Sequence, residues 1–227
     1  MIVLRALAAL LSYPRQELRQ ALPEIADAIR ASQLIAERER GGLMTLIDQL
    51  GREDLLVAEE RYVEMFDRGR ATSLNLFEHL HGESRDRGDA MVELRRVYDR
   101  AGFELTTREL PDYLPVVLEY LSCRDLAETR AMLADCAHLL RRIGEALVAR
   151  GSAYAAVLQA LLVIAGEARI DAASVPRKVQ ENLDADWFEQ PAFGGEPLAR
   201  VPQRRPAAGI DAALGTGSLT IHKREAN

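Results

Sequence analysis

Apolar residues recur along this chain at the spacing of α-helical turns. Leu55, Ala58, Tyr62, Met65 and Phe66 fall on one stripe, and Met91, Leu94, Tyr98 and Ala101 on another. Leu133, Cys136, Leu140, Ile143 and Leu147 form a third stripe, and Tyr154, Val157, Leu158, Leu161, Leu162 and Ala165 a fourth. No useful length alternates apolar and polar with the period of two that a half-buried strand needs. Each stripe is one-sided, so each predicted helix must bury its apolar face against the others. The pattern therefore predicts an all-α, single-domain helical bundle of roughly eight to ten helices. Gly41, Gly42, Gly51, Gly69, Gly82, Gly88, Gly102 and Gly151 read as punctuation between stripes. Pro111 and Ser152 stand where helices are expected to begin, the proline in a first turn and the serine as a cap.

The pattern changes after Ile170. Pro176, Pro191, Pro197, Pro202 and Pro206 come with Gly194, Gly195, Gly209, Gly215 and Gly217, and helical periodicity is lost except over residues 179–188, which allow a short helix. The chain thus divides into a helical domain, residues 1–170, and a Pro/Gly-rich, mostly disordered tail, residues 171–227. Trp187, Phe188 and Phe193 in that tail offer either docking onto the body or a short interaction motif.

Composition narrows the function classes. Leu, Ala, Arg and Glu dominate, as in helical proteins, because unbranched side chains lose little rotamer freedom in a helix. A net charge of −6 argues against a nucleic-acid partner, which wants a basic stripe, and favours basic ones. Cys123 and Cys136 are not a C-x-x-C pair and read as reduced structural thiols. The opening MIVLRALAALLSYP has no basic residue ahead of its apolar run, so it reads as a first helix stopped at Pro14 and not as a signal peptide. The apolar run AYAAVLQALLVIAG falls short of the ~20 residues a membrane span needs. A cytoplasmic protein that is not membrane-embedded is expected.

Candidate chemistry concentrates in residues 67–94, where two histidines, arginines and carboxylates interrupt the helical pattern. His79 and His81 are two apart, about 200° around a helix, so they cannot face one ion together. Glu78 with His81, or His79 with Glu83, would share a face, but the order is not H-E-x-x-H and no cysteine stands nearby. A metal-dependent hydrolase built on Glu78, His79, His81 and Glu83 is thus the weaker alternative. Acid–base catalysis lacks a nucleophile in a recognisable turn and a Gly-rich loop after a strand. No enzyme activity, metal or resident cofactor is expected. The residues read more simply as a short helix over 75–82 that buries Leu76, Phe77 and Leu80, followed by a capped entry at Ser84 into the next helix. Arginines and carboxylates at this spacing can form a network that fixes the loop, and a fixed loop beside an apolar groove can present a peptide-binding surface.

The same residues carry a resemblance. YVEMFDRGR (62–70), continuing through SLNLFEHLHGESRDRG (73–88), resembles the nitrate reductase molybdenum cofactor assembly chaperones, the delta-subunit type within the wider family of helical maturation chaperones for molybdoenzymes. ELPDYL (109–114) followed by PVVLEYL, and the opening LLSYP (10–14), are also similar. The resemblance covers roughly residues 1 to 195 and is densest from Tyr62 to Leu121. Many members of the wider family have Pro-Asp-His where this chain has Pro111, Asp112 and Tyr113; the nitrate reductase branch resembles this chain in its tyrosine.

The resemblance implies a system-specific chaperone, absent from the finished enzyme, that binds the N-terminal segment of the apo catalytic (alpha) subunit of a respiratory nitrate reductase. It would hold that subunit back from membrane assembly while molybdenum cofactor, and in this branch iron–sulfur centres, are inserted, with cofactor-delivery proteins as further partners. The other alternative is a structural adaptor of a membrane complex. On the chaperone reading, an amphipathic, net-basic peptide would lie in a groove lined by Tyr62, Met65, Phe66, Leu74, Phe77 and Tyr113, residues that bury large or adaptable surface. Glu78, Glu83, Asp86 and Asp112 are expected to form an acidic rim toward it. Arg70, Arg85 and Arg87 are expected to hold the loop's own carboxylates, and His79 and His81 to make release sensitive to pH.

Overall fold

A computed structural model describes residues 1–81, 86–105, 109–176 and 221–223. The expected helix over 179–188, the Trp187, Phe188 and Phe193 cluster, and Gly82, Glu83, Ser84 and Arg85 lie outside the described residues, as does the side chain of His81. Among the described residues there are ten α-helices. They are α1 (Ile2–Leu10), α2 (Gln16–Ala31), α3 (Glu37–Arg52), α4 (Leu55–Tyr62), α5 (Leu76–His81), α6 (Asp86–Arg100), α7 (Leu114–Ser122), α8 (Leu126–Asp135), α9 (Ala137–Ala149) and α10 (Ala155–Ala165). The all-α bundle expected from periodicity is the observed architecture.

Local chemistry sets several of these boundaries. Asp54 and Asp125 begin α4 and α8, their carboxylates accepting from Leu56 N at 2.9 Å and Glu128 N at 2.8 Å. Pro115, not Pro111, is the proline of the first turn of α7. Gly166 ends α10 at φ +86°, a conformation that suits a residue without Cβ. α7 and α10 are apolar nearly all round and form the middle of the molecule, with α1 packed along α7 and with α9, α8 and α3 packed around α10.

Four glycines read as punctuation lie inside helices: Gly41, Gly42 and Gly51 in α3 and Gly88 in α6. At Gly42 the reason is tertiary. A Cβ there would stand 3.1 Å from the Cβ of Ala156, so its absence lets α3 approach α10 closely. The third apolar stripe is broken at Cys136, where α8 ends and α9 begins.

The packed body continues beyond the end of α10, and Val175 still lies partly buried against the core. Ile170 is buried over Gly144, where a Cβ would overlap its Cδ1, and its N–H donates to Gln159 Oε1 at 3.0 Å. Arg169 reaches across to the buried Glu39 of α3 through two bonds of 2.5 and 3.0 Å. One feature was not expected from the pattern at all. Phe103–Leu105 (β1) pairs antiparallel with Ile221–Lys223 (β2), in the register Phe103↔Lys223, Glu104↔His222, Leu105↔Ile221. Strands of three residues are too short to register as alternation.

Candidate functional site

The apolar stripe of α4 does not continue as regular helix. It passes into a π-helical turn, Val63–Asp67, in which Arg68 N donates to Val63 O at 3.0 Å, and then a 3-10 turn, Arg70–Thr72. The Met65 carbonyl in this wide turn accepts from the Thr72 hydroxyl and, at 3.5 Å, from the Arg150 guanidinium. Arg150 Nη1 also lies 3.2 Å from Thr72 Oγ1. Gly69 makes the crossing feasible. A Cβ there would fall 2.5 Å from Met65 O and 2.6 Å from Arg150 Nη1. Such π turns inside helices occur frequently at functional sites.

Two stretches far apart in sequence are zipped together beside this turn. Leu114 N donates to Leu74 O at 2.9 Å, and Leu76 N to Asp112 O at 3.1 Å, around an antiparallel bridge between Asn75 and Tyr113. Asp112 Oδ2 accepts from Phe77 N at 2.9 Å, so Asp112 supplies to α5, from another segment, the cap that a helix start needs. Asp112 is 0% exposed, and its Oδ1 has no hydrogen-bond partner among the described residues. Burial raises its carboxyl pKa, against the Phe77 N–H and the Arg87 charge, which lower it. The same segment is held on its other side by the buried Tyr98, whose hydroxyl donates to Pro111 O at 2.8 Å.

Tyr62 sits below the zipped segments. Its hydroxyl donates to Leu11 O at 2.8 Å and is 2.8 Å from Tyr113 OH. Because Tyr62 has only one proton to give, Tyr113 is the donor in their bond. Burial pushes the Tyr113 phenol up to about 12. The Tyr62 ring lies 4.8 Å from that of Phe66, which meets Tyr154 edge-on at 5.0 Å.

A cleft of about 450 Å³ opens between the π turn, α5 and the start of α6. Phe66 is its apolar lining; Ser73 and Asn75 contribute polar groups, and Asp67, Arg68, Arg70, Glu78 and Arg87 the charges. Glu78 and Arg87, both largely buried, pair at 3.3 Å. A second cleft, about 390 Å³ along α9 beside His138, Arg141 and Arg142, contains none of the residues singled out from the sequence.

These placements change the expected site. Tyr62, Phe66 and Leu74, exposed by 4%, 5% and 2%, belong to the core, so an open groove lined by all six apolar residues is not present in this conformation. Met65, Phe77 and Tyr113 are partly buried at its border, and only an edge of Phe66 reaches the cleft. Among the described residues the rim is not acidic as expected: three arginines face two carboxylates at the cleft, and Asp112 is an internal cap. Asp86 is exposed at the start of α6. Arg87 does hold Glu78, whereas Arg70 has no ion pair among the described residues. His79 Nε2 lies 2.9 Å from Ser73 O, so that nitrogen carries the proton. The pairing of Glu78 with Arg87 and the bond of His79 to a carbonyl are structural contacts, and no group of three metal-ligating side chains forms among the described residues, which leave out the side chains of His81 and Glu83. Arg150 and Tyr98 join the site although neither is among the residues that the sequence pattern marks for it. Arg150 sits on an ordinary helix end and carries no local signal.

The two zipped stretches are the ones densest in the resemblance, and comparison with known proteins agrees. Residues 12–160 match the family model described as nitrate reductase delta subunit. The chain is 42% identical over 198 residues to the nitrate reductase molybdenum cofactor assembly chaperone NarJ of Escherichia coli strain K12, covering 84% of each chain. It is 37% identical to that strain's "Probable nitrate reductase molybdenum cofactor assembly chaperone NarW", over 84% of this chain and 82% of the relative. A Bacillus subtilis strain 168 protein named in the same way, with NarJ for NarW, is 33% identical over 71% of this chain and 86% of its own. On the family match and on these identities, the chain belongs to the nitrate reductase delta subunit family, a family of cofactor assembly chaperones and not of enzymes.

Proposed function

We propose that this protein is the dedicated chaperone of a respiratory nitrate reductase. It binds the N-terminal segment of the apo catalytic subunit and keeps that subunit competent for insertion of molybdenum cofactor and iron–sulfur centres before membrane assembly. The observation that carries this reading is the 42% identity across 84% of both chains with a nitrate reductase molybdenum cofactor assembly chaperone. The geometry supports a binding role because the cleft sets an exposed edge of Phe66 among charged and polar groups. Among the described residues no helix is long and apolar enough to cross a membrane.

The peptide's apolar side lies against Met65, Phe77, Tyr113 and the exposed edge of Phe66. Tyr62, Leu74 and the rest of Phe66 join the contact when the α5 side of the cleft moves outward. A micromolar complex needs about 8 kcal/mol net, which a few such anchors at roughly 1–3 kcal/mol each supply. Arg68, Arg70 and Asp67 set orientation and association rate more than affinity. Cofactor-delivery proteins would meet the complex afterwards. The test is a pull-down against cofactor-free and cofactor-loaded catalytic subunit. Preference for the cofactor-free form is expected; equal capture of both would instead mark a structural adaptor.

A further inference from the structure

We propose that the C-terminal strand β2 is a strap on the candidate site: by pairing with β1 it holds α6 and residues 111–114 in place and keeps the cleft in its narrow form. The part concerning client binding rests on the proposed function; the coupling between strand and cleft does not.

β1 joins the two sides of the site in sequence. It follows α6, which carries Arg87, by the turn at Ala101 and Gly102, and it precedes the segment that carries Asp112 and Tyr113. It is joined to them in space as well. Phe103 is buried with its ring 5.6 Å from Tyr120, Tyr120 lies 4.8 Å from Tyr98, and Tyr98 holds the Pro111 carbonyl. A strand on its own leaves backbone donors and acceptors unpaired, and among the described residues only β2 pairs with β1. β2 also lies against α7, the helix that residues 111–114 lead into.

The strap is built to open. Its ladder is three residues long, and in an antiparallel pair only alternate residues exchange both hydrogen bonds. So short a pairing opens more readily than the helical body. Opening matters because Tyr62, Phe66 and Leu74 are shut in the core in the strapped form. A ligand reaches them only if α5 and α6 move away from the π turn, and α5 is held there by the Asp112 cap and the Glu78–Arg87 pair. Pinning β1 opposes that movement from behind.

The experiment uses the full chain carrying Ile221→Pro and His222→Pro together. N–H groups of neighbouring strand residues point to opposite sides, so one of the two prolines removes a donor facing β1 in either register. Amide hydrogen exchange is read at Phe103–Leu105 and at Leu76 and Phe77. Calorimetry reads affinity for a synthetic peptide with the N-terminal sequence of the nitrate reductase catalytic subunit. Exchange should rise roughly tenfold at β1 and severalfold at Leu76 and Phe77, with unchanged protection in α10, and the peptide should bind severalfold tighter. An excess of a synthetic peptide of residues 217–227 should reverse both exchange effects, which keeps the test valid should the prolines disturb the body. Unchanged exchange at β1 overturns the pairing, and faster exchange confined to β1 overturns the coupling. If the client peptide binds the parent chain and the variant equally, the strap has no bearing on binding. If it binds neither form while the exchange effects appear, the proposed function fails and the coupling stands.

Discussion

Asp112 serves the site without touching the cleft. Its carboxylate takes the Phe77 N–H and its carbonyl the Leu76 N–H, so one residue starts α5. Asp112→Ala should cost about 1 kcal/mol, the usual worth of a helix cap, and speed exchange of the Phe77 amide. Asp112→Asn keeps an oxygen for that bond and should lose much less. The two residues also separate on pH. Burial raises the Asp112 pKa, so the folded form keeps its proton to a higher pH than an unfolded carboxyl, which titrates near 3.8. Its stabilising contribution is complete below that value and is lost as pH rises through the folded value. The Asn variant has nothing to ionise and should gain on the parent as pH climbs from about 3 to about 7. A constant gap between their denaturation midpoints would uncouple the carboxyl from folding. Glu39 behaves in the opposite sense. Its bonds from Arg169 hold its pKa below that of an ordinary glutamate, so its contribution is present above the unfolded value and is lost on acidification through the lower folded value. Glu39→Gln should therefore flatten the acid limb of the stability curve, measured as thermal midpoint against pH. Asp112 was legible in the sequence as part of ELPDYL, but as a rim charge; that it is an internal cap depends on where residues 73–77 lie.

Among the elements, the π turn is the one most exposed to a single change. Gly69→Ala would drive a methyl into the Met65 carbonyl and the Arg150 guanidinium. The loss of stability should be about 1–3 kcal/mol, as for other overpacked sites, and the cleft should change shape with it. A denaturant melt checks the first outcome and peptide affinity the second. The apolar stripe through Met65 and Phe66 predicted ordinary helix here, because spacings of three and four tolerate one inserted residue without breaking the pattern. The same stripe left the role of its aromatics open, and their burial separates them as probes. Phe66→Ala should destabilise the fold by roughly 3–5 kcal/mol, since the ring is packed between Tyr62 and Tyr154. Phe77 is only partly buried, so Phe77→Ala should leave the far-UV helix signal intact and weaken the leader peptide. Unaltered calorimetric affinity would remove Phe77 from the contact.

For the whole molecule, charge acts at longer range than the cleft. The chain carries −6 while the described residues of the cleft offer three arginines and two carboxylates. A net-basic peptide is therefore drawn by the body as a whole more than by its immediate rim, and its affinity should fall as salt rises, since the screening length is about 8 Å at physiological ionic strength. A dissociation constant independent of salt would show that this field plays no part. The sequence by itself determined the helical class and the approximate number of helices, and it marked the two stretches, around Phe77 and Asp112, that lie at the candidate site. Periodicity and local motif need only neighbouring residues, so they are written in the chain. Tertiary structure decided that these stretches are bonded to each other, that Tyr62, Phe66 and Leu74 are closed in the core, that arginine outnumbers carboxylate among the described residues of the cleft, and that residues 221–223 return to β1. Each of those depends on which distant segments meet, and burial and the sign of a local field belong to the meeting of segments and not to any one of them.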